Sequence, residues 1–489
     1  MRAFARILQL LSGLTGIVCL VVIRQAAAQT FNTLYNFTGG TDGGRPIYGG
    51  LLLSSNRLYG TAANGGDSGF GTIFGVNVDG TGFTTLYSFS GTSNGANPHA
   101  SLTISGNTLY GTVLNGGEFG GYGTVFAVNN DGTGFRILHA FTATSDGAIR
   151  GTNSDGASPA SSLLLSGNAL YGTALGGGSS GNGTVFKVNA DGTGFATLHS
   201  FSATAPGGRN DDGVGPVGGL VLAGNTLYGT AAGGGGGGYG GGTVFAVNTD
   251  GTGFRTLHSF SATTCGSCAN SDGALPDCTL LLRGNTLYGT ASAGGRGGSG
   301  VVFSANTDGT GFTVLHSFPA LDTQGAAPKC ESGLISLGNT LYGTTSAGGN
   351  SGNGIVFALG TNGASFTVLY EFSATSSGNI NTDGFGPFSG LVSFANILYG
   401  TAAYGGSSDN GTIFSILLPA TSPQLSITPA GSNVILSWPT NGVVYTLQST
   451  PDLISAFWTT NFPSPVVING QNTVTTQTSS TQQFYRLTK

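Results

Sequence analysis

One tetrapeptide, Leu-Tyr-Gly-Thr, recurs seven times in this chain, with its tyrosine at positions 59, 110, 171, 228, 288, 342 and 399. The copies lie 51 to 61 residues apart. A fixed motif at that period marks a repeat architecture in which each copy is one supersecondary unit that buries its faces only against its neighbours.

Each copy carries the same accessories in the same order. An asparagine precedes the leucine by two positions, from Asn56 in the first copy to Asn396 in the last. A glycine-rich stretch follows, then a Gly-Thr-Val-Phe-like run ending at Phe74, Phe126, Phe186, Phe245, Phe303, Phe357 or Phe414. A turn such as Asp250-Gly251-Thr252-Gly253 leads into Phe-x-x-Leu-x-x-Phe, as in Phe254, Leu257 and Phe260. In the fourth copy this predicts strands at Leu220–Leu222, Thr226–Thr230, Thr243–Val247 and Phe254–Phe260, rich in Val, Phe, Tyr and Thr and bounded by turn formers. Polar and apolar residues alternate only weakly, which fits sheets covered on both faces.

The phase of the first and last copies predicts closure. Phe31-Asn32-Thr33-Leu34-Tyr35-Asn36-Phe37 is an orphan fourth strand, and the seventh copy stops after Gly411-Thr412-Ile413-Phe414 without one. The orphan strand completes the last sheet and leaves few free edges. The expected fold is therefore all-β: a seven-bladed β-propeller over 29–418, closed by its N-terminal strand. The Phe-x-x-Leu-x-x-Phe strand is expected outermost, with the glycine-rich loops and the (Asp/Asn)-Gly-x-x-Pro elements on one rim.

The Leu-Tyr-Gly-Thr, Gly-Thr-Val-Phe and Asp-Gly-Thr-Gly-Phe elements resemble the GloVer-type tandem repeat of secreted "choice-of-anchor" bacterial proteins, over about residues 31–416. More loosely, Leu-Tyr followed by glycines is similar to kelch repeats. The resemblance implies export and residence at the cell surface or envelope, and brings no catalytic residues with it. It also implies a terminal sorting segment, whereas Arg486-Leu487-Thr488-Lys489 follows no apolar helix.

Composition narrows the partners. Charged residues are only 7% of the chain and the net charge is −5; no basic stripe of the kind nucleic-acid binding requires is present. Arg2 and Arg6, the apolar run Ile7–Ile23 and Ala26-Ala27-Ala28 read as a signal peptide over 1–28. No later segment has the length and apolarity of a membrane-spanning helix, so a secreted, cell-surface or periplasmic monomer is expected. Four cysteines remain, Cys265, Cys268, Cys278 and Cys330. They are disulfide candidates in an exported chain, with connectivity open among three pairings. After a linker at 419–423 the repeat ends, and residues 424–489 hold Trp438, Trp458 and strand-like runs at Val434–Trp438, Val444–Gln448, Val466–Ile468 and Thr473–Gln477. These suggest a small β-sandwich similar to fibronectin-III-like modules, its tryptophans in the core.

Candidate chemistry is sparse. His139, His199, His258 and His316 occupy one repeat position that Tyr35, Tyr87 and Tyr370 fill elsewhere, which reads as outer-strand packing. The rim residues Asp42, Asn94, Asp155, Asp212, Asp272 and Asp383, with Gln324 in the sixth copy, are the candidate ligand-binding set, although Asp and Gly in these elements are turn formers in their own right. They lack the Asp-x-Asp-x-Asp spacing of a calcium loop, so neither metal nor cofactor is expected, calcium being the one cation kept in view. The glutamates Glu118, Glu331 and Glu371 do not form an evident acid pair of the kind a glycosidase uses. Three readings follow: a non-enzymatic scaffold that binds glycans or proteins through its rim loops, a polysaccharide hydrolase or lyase using rim carboxylates, or a structural envelope component. Cleavage after Ala28 should leave Gln29 as the first residue of the exported protein; N-terminal sequencing of the secreted form checks this.

Overall fold

The computed structural model describes residues 29–118, 121–205, 210–235, 241–263, 269–320, 326–328, 333–419, 425–430, 433–439, 445–450, 457–460, 462–468, 471–477 and 484–488. The signal-peptide region thus lies outside the described residues, as do Cys265, Cys268, Cys330 and Gln324. The fold is all-β, and residues 28–418 form a compact unit distinct from the one that holds Pro419–Lys489. Among the described residues no helix is long and apolar enough to cross a membrane.

In the repeat region, the described residues form seven four-stranded antiparallel sheets. We number them 1 to 7 by their Leu-Tyr-Gly-Thr strand. In sheet 4 the strands are Val221–Ala223, Thr226–Ala231, Thr243–Asn248 and Arg255–Ser259, paired in that order and within a residue or two of the expected bounds. Sheet 7 is built otherwise. Its outer strand is Thr30–Asn36, which pairs antiparallel with Thr412–Leu417 and brings the two ends of the unit together.

Cross-strand register explains why the tetrapeptide needs its glycine. Gly229 sits opposite Phe245 on the neighbouring strand, and a Cβ on Gly229 would come within 2.6 Å of the Phe245 ring tip and 2.8 Å of Leu220. The phenylalanine ring lies over the space the glycine vacates, and the same pairing recurs as Gly60 with Phe74 and Gly400 with Phe414. The Leu-Tyr-Gly-Thr-Ala strand is buried along nearly its whole length, as a strand covered on both faces must be.

Seven apolar clusters join the sheets. Each draws on two successive sheets: Tyr171, Val185 and Phe201 of sheet 3, for example, pack with Leu220, Leu227, Phe245 and Val247 of sheet 4. The seventh joins Tyr399, Ile413 and Phe37 of sheet 7 to Leu51, Leu58 and Phe74 of sheet 1. Threonine hydroxyls add polar ties. Thr61, Thr112, Thr173 and Thr230 donate to the carbonyls of Ala100, Ser161, Gly218 and Cys278 in the next sheet, at 2.9–3.2 Å. Cys278 is itself buried, and its Sγ stands 3.0 Å from the Thr290 amide, as the Ser161 hydroxyl stands 2.9 Å from that of Thr173.

The C-terminal residues form a sheet of Ser426–Ala430, Asn433–Pro439, Gln471–Gln477 and Val466–Ile468 and a pair of strands, Thr446–Thr450 and Phe484–Thr488. Leu436, Trp438 and Val474 of the first share a core with Leu447 of the second. Trp438 is buried there as expected. Trp458 departs from the expectation: it is half-exposed, with the Arg486 guanidinium 4.0 Å from its ring centre, so that a cation and not the core covers it.

Deleting residues 29–36 should remove the outer strand of sheet 7 and open the Thr412–Leu417 edge. The expected loss is at least the about 3 kcal/mol of a single buried Phe→Ala change, with concentration-dependent association through the exposed edge. Thermal unfolding and size-exclusion chromatography read both. A truncated protein that melts and elutes like the full chain would contradict closure by this strand.

Candidate functional site

The (Asp/Asn)-Gly-x-x-Pro elements and the glycine-rich loops meet on one rim, zipped by isolated β-bridges such as Gly44 with Asn64, Ala96 with Asn115 and Ala157 with Gly176. The residue just before each proline ties neighbouring sheets. Arg45 donates its amide to the Asn410 carbonyl of sheet 7 and accepts from the Ala63 amide of sheet 1. Ser158 and Leu275 do the same between their own neighbours. To bond on both sides the chain turns into the left-handed region, at φ 54° for Arg45, 55° for Ser158 and 57° for Leu275. That conformation is costly for a non-glycine residue.

The rim carboxylates are engaged inside these elements. Asp42 accepts from Tyr35 Oη at 3.0 Å, from the Thr38 amide at 2.8 Å and from Thr38 Oγ1 at 2.5 Å. Asp155 is met by His139 Nε2 at 3.0 Å, the Thr142 amide at 3.0 Å and Thr142 Oγ1 at 2.5 Å. Asp212 is met by His199 at 3.1 Å and by Ser202 through amide and hydroxyl at 2.8 and 2.6 Å. Asp272 has His258 and the Ser261 amide, each at 3.1 Å. Asp383 has Tyr370 Oη at 2.7 Å, the Ser373 amide at 2.8 Å and the Ser373 hydroxyl. Since a carboxylate only accepts, each of these histidines carries its proton on Nε2.

In the second copy the polarity reverses. Asn94 Nδ2 donates to Tyr87 Oη at 2.8 Å, while Asn94 Oδ1 accepts from the Ser90 amide and hydroxyl. The backbone of the same elements is held as well: Thr184, Thr243 and Thr412 donate to the carbonyls of Asp155, Asp212 and Asp383.

The histidine and tyrosine position, expected to be packing, has two jobs. Each ring stacks on the first phenylalanine of the next outer strand: His139 on Phe195 and His199 on Phe254 at 3.6 Å, Tyr35 on Phe83 at 3.8 Å, and Tyr370 on Phe31 at 3.9 Å. In six copies its tip meanwhile meets the rim Asp or Asn. In six of the seven copies the sequence did hold a signal for this partnership, because both ring types carry a polar atom at the tip and are followed 7 to 16 residues later by an Asp or Asn; His316 is the exception, with Gln324 in its copy.

Electrostatics follow from these contacts. Burial pushes the Asp155, Asp212 and Asp272 carboxyls up, but the histidine, the hydroxyl and the amide together outweigh it and hold each below the usual carboxylate range. Burial, and then the hydrogen bond to the carboxylate, raises the Tyr35 and Tyr370 phenols. Among the described residues no group of three or more His, Cys, Asp or Glu side chains is placed to hold a metal ion. Glu371 accepts from the Asn350 amide and side chain; Glu331 lies outside the described residues.

The repeat model of the Gloeobacter/Verrucomicrobia repeat matches residues 18–152, 149–272 and 263–450. The chain belongs to that repeat family. A comparison with curated proteins finds no match. Among solved structures, this member of the family is similar to an oligogalacturonate lyase from Vibrio parahaemolyticus at 12% identity, over 81% of this chain and 98% of that one, with a TM-score of 0.43. It is similar to a puromycin-hydrolyzing peptidase of Mycobacterium tuberculosis at 11% identity, over 85% and 62%, with a TM-score of 0.45. A third similarity is to TolB from Acinetobacter baumannii at 13% identity, over 63% and 62%, with a TM-score of 0.36.

The lowered carboxyls link stability to pH. A group whose folded pKa lies below its unfolded value near 3.8 stabilises above that value and loses the contribution as pH falls through the folded one. Stability of this repeat protein should therefore be level through neutral pH and drop below about pH 4. Asp212→Asn should cost about 1–3 kcal/mol at pH 7 and flatten the acid limb, as denaturant unfolding between pH 3 and 7 will read.

Proposed function

We propose that this chain is an exported, non-enzymatic repeat scaffold: a seven-bladed β-propeller followed by a small β-sandwich, whose rim loops recognise a glycan or a protein at the cell surface. The observation that carries the reading is the internal use of the rim carboxylates. Side chains already met by two or three donors suit the work of holding loops in place. Asp42, Asn94, Asp155, Asp212, Asp272 and Asp383 then serve binding as positioning residues, and the loops between them, which differ in length and composition from copy to copy, supply the contacts. A rigid scaffold with variable loops lowers the ordering cost of association.

The competing reading is an exported hydrolase or lyase working through the same carboxylates. It requires a polymer that the protein turns over, and a turnover that Asp212→Ala and Asp383→Ala abolish. The test is binding of residues 29–489 to a panel of glycans and cell-wall polysaccharides, with and without calcium, alongside assay of the same polymers for chain cleavage. Saturable binding without cleavage is the expected result. Cleavage lost in the two aspartate variants would replace this reading with the enzymatic one.

A further inference from the structure

One sector of the rim breaks the repeat. At the bridge that zips the two loop families, most sheets pair small or amide residues: Gly44 with Asn64, Ala96 with Asn115, Ala157 with Gly176, Ala274 with Ala293 and Ala326 with Ala347. In sheet 7 the bridge joins two aromatics, Phe385 and Tyr404, whose rings stack at 5.2 Å. The position three residues before the buried leucine that follows the rim proline (Leu51, Leu102, Leu391 and their counterparts) behaves alike. It holds Tyr48, His99 and Phe388 in sheets 1, 2 and 7, but Ala160, Val217 and Asp277 in sheets 3, 4 and 5.

These departures fall side by side. His99 lies 5.1 Å from Tyr48, Tyr48 lies 5.6 Å from Phe388, and Phe388 lies 6.1 Å from Tyr404, all between ring centres. All five rings are partly exposed, His99 being mostly covered. The Arg45 guanidinium stands 5.3 Å from the centre of the Tyr404 ring and makes, among the described residues, no ion pair. Burial pushes the His99 imidazole down to about 4, so it is a neutral ring at physiological pH and the guanidinium is the cation of the sector.

None of the seven apolar clusters that join the sheets contains these rings. We infer that the sector formed by Tyr48, His99, Phe385, Phe388 and Tyr404, with Arg45 beside it, is a saccharide-binding platform. A sugar ring presents a face of polarised C–H groups, which the negative face of an aromatic ring attracts, and an edge of hydroxyls, which a guanidinium can hydrogen-bond. An apolar protein anchor would need a closed, dry recess; rings partly exposed beside a cation suit an amphipathic sugar better. The inference rests on the binding reading above and narrows it to carbohydrate.

Isothermal titration of residues 29–489 with cellohexaose, chitohexaose and an alginate hexasaccharide tests it. Saturable binding of at least one probe is expected, weakened tenfold or more by Tyr48→Leu and by Phe388→Leu, which keep apolar bulk but lose the π-face. Val217→Ala, at the matching position of sheet 4, should leave affinity within twofold. Phe388→Trp should keep binding and report it as a change in indole emission, whatever the stability of the leucine variants. A probe that binds without altering that emission, and with equal affinity in both leucine variants, places the site elsewhere and overturns this inference while sparing the binding function. Failure of all three probes, with protein partners captured by the glycan-blind rim, overturns the platform alone; failure of every glycan and protein partner overturns both readings.

Discussion

The structure depends on one contact made again and again at the outer edge: an aromatic ring that stacks on the next sheet with its face and holds its own rim loop with its tip. His199 lies on Phe254 of the following sheet and reaches Asp212 of the loop that leads there. The contact joins two scales. Stacked and edge-on aromatic pairs contribute about 0.5–1.5 kcal/mol each beyond the area they bury, and here they link each sheet to the next. The charged hydrogen bond sets where the loop leaves the sheet. Histidine and tyrosine interchange at this position because both are flat and both end in a polar atom, and asparagine replaces aspartate opposite Tyr87 because a phenol accepts as readily as it donates.

Glycine makes that edge contact possible from the other side. The tetrapeptide glycine lets the phenylalanine of the adjacent strand lie flat across the sheet, and that ring then meets the outer-strand aromatics: Phe245 faces Phe254 at 5.6 Å and Phe201 at 5.4 Å. A chain with 90 glycines thus has a dense aromatic interior, since many of the glycines admit a ring or a left-handed turn and do not loosen the backbone.

Function is to be sought where the repetition fails. Residues that recur in all seven copies are accounted for by the sheet, the interface or the loop staple they build. The rings at Tyr48, Phe388 and Tyr404 stand outside the repeated clusters, and they converge from sheets that are consecutive only because the last sheet adjoins the first.

The strands, their order, the turns and the closing role of Thr30–Asn36 were all legible in the chain, because each follows from short-range chemistry repeated seven times and from the phase of the first and last copies. The sequence also singled out the rim aspartates. What it left apart was their partnership with the histidines and tyrosines, which spans loops of unequal length, and the solvent-facing place of Trp458 under Arg486. These came from the folded arrangement, which also set Phe388 beside Tyr48 from more than 300 residues away, with Tyr404 against Phe388. The physical reason is that a local pattern dictates which way a strand or turn goes, whereas the neighbours of a loop side chain are chosen by the closure of the whole array.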